Sequence, residues 1–384
     1  MKALEFERNI ARFAAANAIS RLSPGKGATV GPLALRDIDP PGFPTDEWVR
    51  LRPRLAGICG SDLATIDGRS SRYFEPIVSF PFVPGHEVVG NLDDDSRAVL
   101  VPVLSCATRG IDPPCDWCAR GCINRCERVA FGHLTPGLQS GFCTDTGGGW
   151  STQMVAHPSQ LIAVPDDLSD EAAVLVEPTA CAVHAALQTH DDFVAVIGSG
   201  TLGLLTIAAL RHGEHPPKGT LLATARYHDQ QILAKELGAD VVIEPSEVGR
   251  RVRSITGSLA LGDQLTCGFE TVIDCVGSAD SIAHALQIVA PGGMIVLVGM
   301  PGHTALDLTG LWHREVTIKG CYAYQHEDFA TAIDLVRSAE LERLVSATYP
   351  LAEFRRAIEH AANAGRRGAV KVAFDLRREK ERNR

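Results

Sequence analysis

Two textures of apolar patterning meet near residue 165. Before it, apolar residues gather in short runs, 49–55, 87–91 and 98–103, set among Gly and Pro, which predicts an irregular β-barrel-like domain. After it, apolar runs at 193–197, 220–223, 271–275, 294–298 and 316–318 alternate with segments whose apolar positions recur at helical spacing, 201–211, 230–237 and 281–289. Short apolar strands separated by amphipathic helices predict an α/β domain with a doubly wound parallel sheet covered on both faces. The last part reads as helix at 328–337 and 351–362 and strand at 370–374, returning to the first domain. The expected division is therefore 1–165 with 325–384 for a discontinuous first domain, and 166–324 for the inserted sheet domain. Near the start, Ile10, Phe13, Ala14 and Asn17 suggest an amphipathic helix, followed by Gly25, Lys26 and Gly27. The tail RREKERNR is expected to be a solvated end.

Composition narrows the function. The chain has 384 residues, 45% apolar and 22% charged, with a net charge of −9, so it lacks the basic surface that a nucleic-acid partner would need. Acidic residues at Glu5 and Glu7 interrupt any apolar leader, and a cytoplasmic location is the expectation. The apolar run 193–210 is about long enough to span a membrane, but its three glycines split it into a strand and a helix, so no membrane association is expected. Eleven cysteines, an odd number, include a dense group from Cys106 to Cys126, which fits metal binding better than a disulfide framework.

The segment DDFVAVIGSGTLGLLTIAALR at 191–211 is a strand, a G-x-G-x-x-G turn and a helix. Gly198 permits the tight turn, Gly200 lets backbone approach a pyrophosphate, and Gly203 lets helix and strand pack closely. Thr201 and Leu202 open the helix whose free N–H groups would meet the anion. This is a Rossmann dinucleotide fingerprint. An NAD site places a carboxylate about 20 residues further on. Here Ala225, Arg226 and Tyr227 stand instead, leaving room for a 2′-phosphate that the Arg226 guanidinium can pair, so NADP is favoured and NAD remains open.

Cys59 in GICGSD and His86 and Glu87 in PGHEVVG, with Glu177 in VEPTACAVHAAL, form a thiolate, imidazole and carboxylate set suited to zinc with an exchangeable position. Together with the cysteine-rich lobe and the later glycine fingerprint, these motifs resemble the zinc-dependent medium-chain dehydrogenase/reductase family over nearly the whole chain. Within it they are most similar to the sorbitol, threonine and glucose dehydrogenase branch. The resemblance implies a GroES-like catalytic domain beside the Rossmann domain, and a catalytic zinc on Cys59, His86 and either Glu87 or Glu177. It also implies a structural zinc on four cysteines. Gly121 and Asn124 stand where relatives often have Gly and Asn, making Cys118 and Cys126 the third and fourth ligands and Cys115 the second. The first position falls on Asp112, so Cys106 is taken across the insertion ATRGIDPP and Cys122 becomes the spare. The run Cys115, Cys118, Cys122, Cys126 is the alternative.

The resemblance further implies an alcohol or polyol dehydrogenase, likewise active on the matching carbonyl, working as a homodimer or homotetramer. Zinc would act on the substrate oxygen as a Lewis acid and hydride would pass to nicotinamide. Ser61 matches the hydroxyl that hands the alcohol proton outward, while Ala64 stands where many relatives carry a histidine. Asp62 is expected to bond nearby backbone. Trp150 is a pocket or a core residue, and His184 a packed helix residue. A zinc-free quinone or enone reductase and a non-catalytic redox sensor are the competing readings.

Overall fold

The computed structural model describes residues 1–262, 264–300 and 302–377. The chain divides into two compact units, Met1–Glu177 with Tyr324–Arg384, and Pro178–Ala323. The division follows Glu177 rather than Pro165, because the linker stays with the first unit: Asp170 accepts from Arg54 Nε at 2.8 Å and from Arg97 Nη1 at 3.1 Å. Arg377, the first residue of the tail, is no solvated end. It pairs with Glu171 at 2.9 Å and with Asp375, and the remainder of the tail lies outside the described residues.

In the second unit a six-stranded sheet contains Val194–Ile197, Leu221–Thr224, Val241–Ile243, Phe269–Asp274, Val289–Leu297 and Thr317–Gly320. Their spatial order is third, second, first, fourth, fifth, sixth, and every pairing is parallel. That order puts the topological switch beside the first strand, where a doubly wound sheet opens a ligand crevice at its carboxyl end. Among the elements that escape the periodicity reading are strand Val241–Ile243, only half-buried at its first two positions, and helix Val248–Thr256, whose charged sequence buries only Val248 and Val252.

The first unit is built on a seven-stranded sheet in the order Val345–Tyr349, Lys371–Asp375, Val49–Gly57, Val88–Asn91, Arg97–Leu100, Leu161–Ala163, with Met154–Ala156 also pairing Val49–Gly57. The returning strand Lys371–Asp375 aligns antiparallel to Val49–Gly57, with Ala373 opposite Gly57. Trp150 belongs to this core: it is fully buried, its indole N–H bonds the Gly57 carbonyl at 3.1 Å, and its ring meets Phe374 edge-on at 5.0 Å. Such aromatic pairs add roughly 0.5–1.5 kcal/mol beyond area burial. The N-terminal helix, Ile10–Ser20, forms as expected, with its packed face shifted from the expected one. Phe13 packs against the core and Asn17 is half-buried as the spacing suggests, but Ile10 and Ala14 are exposed and Ala16 and Ser20 are buried instead, so the packed side is only partly the expected one.

Candidate metal centres and nucleotide loop

Strand Val49–Gly57 runs directly into helix Gly60–Ile66, and Cys59 caps that helix. Asp62 Oδ2 accepts from the Cys59 N–H at 3.0 Å, and the Cys59 thiol meets the N–H at the third helical position, a capping box with sulfur in place of a hydroxyl. The expected backbone role of Asp62 is present, and its other oxygen does more. Oδ1 lies 3.5 Å from His86 Nδ1, and neither atom has a hydrogen-bond partner within normal reach. Burial pushes the His86 imidazole down, but Asp62, with Cys59 against the same ring, holds it well above the ordinary histidine value. A carboxylate on one ring nitrogen leaves the other for a metal and fixes the ring.

His86 is aimed by the residue before it. Gly85 has φ +96°, and a Cβ there would sit 2.3 Å from Trp150 Cδ1, so the PGHE turn needs glycine for both reasons. The next residue, Glu87, pairs with the buried Lys371 ammonium, which also donates to the Ile58 carbonyl at 3.3 Å. Burial pushes Lys371 down, and the facing Glu87 carboxylate, with Cys59 and Glu177 beyond, holds it above the usual lysine value. Glu177 lies in the first turn of helix Val176–Ala186 and is buried. Burial raises its carboxyl to about 7, against the pull of His86, Lys371 and a hydrogen bond from Tyr324.

The mixed donors thus converge, yet they are not drawn into one coordination sphere. Among the described residues, only Cys106, Cys115, Cys118 and Cys126 bring their ligand atoms within 4.8 Å of one another. Cys106 and Cys126 sulfurs are 3.7 Å apart, matching the roughly 3.8 Å edge of a tetrahedron with ~2.3 Å zinc–sulfur bonds. Backbone N–H groups of Cys115 and Arg128 point at the Cys106 and Cys126 sulfurs, each at 3.4 Å. Burial raises the Cys118 thiol and brings Cys126 up to about 11, so a dication is the natural counter-charge for four thiolates here. Cys122 stays outside, its thiol reaching the Arg120 carbonyl at 3.9 Å. All eleven cysteines are free.

The insertion ATRGIDPP carries a residue that the sequence reading did not single out. Arg109 is fully buried and donates to the carbonyls of Leu104, Phe131, Leu134, Thr135 and Gly137, tying the lobe together. Lys371 and Tyr324 are the other omissions. A lysine inside the apolar run AVKVAF was a readable signal for the first; Tyr324 had none. Ser61 lies half-buried in the first turn after Cys59, and Ala64 is buried. His184 is buried in its helix, as expected.

In the second unit, Gly198 adopts φ +90°, and a Cβ on Gly203 would fall 1.8 Å from the Gly198 carbonyl oxygen. Gly200 faces open space and caps helix Thr201–His212 without a side-chain bond, so the helix start presents backbone N–H groups, those of Leu202 and Gly203 among them, to an anion. Arg226 is exposed just past strand Leu221–Thr224 and has no ion-pair partner among the described residues. No helix among those residues is long and apolar enough to cross a membrane.

Comparison with known proteins bears on these features. A family model described as "Alcohol dehydrogenase GroES-like domain" matches residues 45–166, and one described as "Zinc-binding dehydrogenase" matches residues 201–338. L-idonate 5-dehydrogenase of Vitis vinifera is 29% identical over 347 residues, covering 85% of this chain and 88% of that protein. Sorbitol dehydrogenase of Arabidopsis thaliana is 28% identical over 350 residues, with coverage of 85% and 88%. The solved alcohol dehydrogenase TADH from Thermus sp. ATN1 matches with TM-score 0.69 and 26% identity, over 98% of this chain and 99% of that one.

Proposed function

Since the chain belongs to the zinc-dependent medium-chain alcohol dehydrogenases, in their sorbitol-like branch, and is an oxidoreductase of CH–OH groups, we propose that it oxidises a polyol or small alcohol with NADP. Cys59, His86 and Glu177 would hold the catalytic zinc. The observation that carries this choice is the Glu87–Lys371 pair, in which the Glu87 carboxylate already engages a buried ammonium, while Glu177 is the other buried carboxylate of the set. Zinc, when bound, supplies Lewis-acid polarisation of the substrate oxygen, and the nicotinamide takes the hydride.

The chain's own residues do the rest. Asp62 fixes the His86 ring so that the nitrogen away from it faces the metal. Ser61 receives the alcohol proton and passes its own outward, since Ala64 offers no titrating group. The turn from Gly198 to Gly203 and the helix start at Thr201 hold the pyrophosphate. Arg226, exposed and without an ion-pair partner among the described residues, would hold the ribose 2′-phosphate through charge-assisted hydrogen bonds. The second zinc, on Cys106, Cys115, Cys118 and Cys126, is structural. A homodimer or homotetramer is part of the same proposal, and light scattering on the purified protein checks it.

The test is a panel of polyols, sugars and simple alcohols, each with NAD and NADP, before and after complete chelation. Polyol turnover faster with NADP, lost with zinc and restored by it, is the expected result. Full activity in zinc-free protein, or faster turnover with NAD, contradicts the corresponding part of the proposal.

A further inference from the structure

The segment around Gly25, Lys26 and Gly27 has the look of an anion loop, and its anion turns out to be internal. Asp67, which ends helix Gly60–Ile66, is 1% exposed. Its Oδ2 accepts from the Gly25 N–H at 3.0 Å and its Oδ1 from the Gly27 N–H at 3.1 Å. Two consecutive turns of backbone N–H around one carboxylate make a small anion cradle. The same helix end is held at two further points. Ser20 Oγ donates to the Asp67 carbonyl at 3.0 Å, and Asn17 Nδ2 donates to the Gly68 carbonyl at 2.8 Å. The N-terminal segment is held in turn at the end of helix Phe354–Ala362, where Asn363 Nδ2 donates to the Pro24 carbonyl at 3.1 Å; the nearby Lys26–Glu359 pair, at 2.8 Å, is solvent-screened.

The other end of this helix starts at Cys59, with Ser61 and Asp62 in its first turn. Seven residues span only about 10 Å at 1.5 Å per residue, so a helix this short moves as one piece. A short helix is also marginal on its own and takes its order from what it packs against. We propose that Asp67 is a positioning residue through which residues 9–31 brace the helix carrying Cys59 and Ser61. The inference rests on the proposed metal role of Cys59. It gives the N-terminal segment a task in the first unit: clamping one end of the helix fixes the direction in which the thiol and hydroxyl point at the other.

The experiment uses the full chain, with Asp67→Ala, Asp67→Asn and, as a control, Lys26→Ala. Amide hydrogen exchange across 60–68 is read on metal-free protein. The cobalt–thiolate band assigned by its loss in Cys59→Ser is read on cobalt-loaded protein, beside kcat and KM. The brace predicts exchange faster by roughly tenfold or more in folded Asp67→Ala, a shifted Cys59 band, and lower kcat at an unchanged cofactor KM. Lys26→Ala should match wild type, because its pair lies at the surface. Asp67→Asn keeps one acceptor oxygen and should fall between, so it carries the test if Asp67→Ala does not fold. Wild-type exchange and an unshifted band in either folded Asp67 variant would overturn the brace. A wild-type spectrum identical to that of Cys59→Ser would instead overturn the metal role of Cys59, and the exchange arm would still judge the brace.

Discussion

The two candidate metal-binding regions of the first unit are built on opposite plans. The cysteine lobe gathers four like donors from one stretch of chain, with the Cys106 and Cys126 sulfurs at tetrahedral spacing and N–H groups pointed at the same two. The second group draws a thiol, an imidazole and a carboxylate from three distant segments, and each candidate donor has a protein partner of its own. A structural site does well to be closed and satisfied by its ion alone, whereas a catalytic one needs an exchangeable position and ligands tuned from behind. The difference teaches where the fold's specificity is spent. In the lobe it lies in local turns and Arg109; at the other site it lies in Asp62, Lys371 and the helix that positions Cys59.

The comparison can be broken at its strongest point first. Cys59→Ala should lower kcat/KM by on the order of 10³-fold or more, since Lewis-acid stabilisation is worth several kcal/mol, while the melting temperature stays near wild type. Steady-state kinetics with a thermal scan checks both halves. The lobe should respond the other way. Cys106→Ser should release its zinc and destabilise the first unit by several kcal/mol, whereas Cys122→Ser should leave zinc content and melting unchanged. Equal effects of the two would return Cys122 to the ligand set.

Lys371→Met sharpens the picture of the partners behind the metal. Leaving Glu87 buried without its cation should cost about 3–5 kcal/mol in denaturant unfolding. Adding Glu87→Gln should recover most of it, and a double variant as unstable as the single one would remove the pair from the account. The smallest effect is expected in the second unit, where Arg226→Ala should raise KM for NADP by roughly 10- to 100-fold, the worth of about 1.5–3 kcal/mol for charged hydrogen bonds, and leave NAD alone. An unchanged NADP to NAD ratio would make Arg226 a bystander.

Much of this was legible in the sequence because it depends on local pattern. The glycine turn at Gly198 to Gly203, the strands around it and the GHE motif each impose a steric or periodic demand that reads directly from residue types. Cys106 was readable over Cys122 only through a resemblance in spacing. The insertion between Cys106 and Cys115 hid the reason, which is that Arg109 folds those residues into the lobe by bonding carbonyls far along the chain. Lys371 lies more than 280 residues from Glu87 in sequence, and their pairing follows from the strand register that sets Ala373 opposite Gly57. The packed face of helix Ile10–Ser20 was read only in part, at Phe13 and Asn17, because the polar anchor at Ser20 helps set its orientation alongside apolar spacing.

The central claim is that one chain carries two zinc sites of different purpose. The most direct measurement is zinc per chain by elemental analysis on wild type, Cys59→Ser and Cys106→Ser, purified side by side. The account predicts about two equivalents in wild type and about one in each variant, with Cys59→Ser folded but inactive and Cys106→Ser unstable. Full zinc in Cys59→Ser, or its loss there together with the fold, would contradict it.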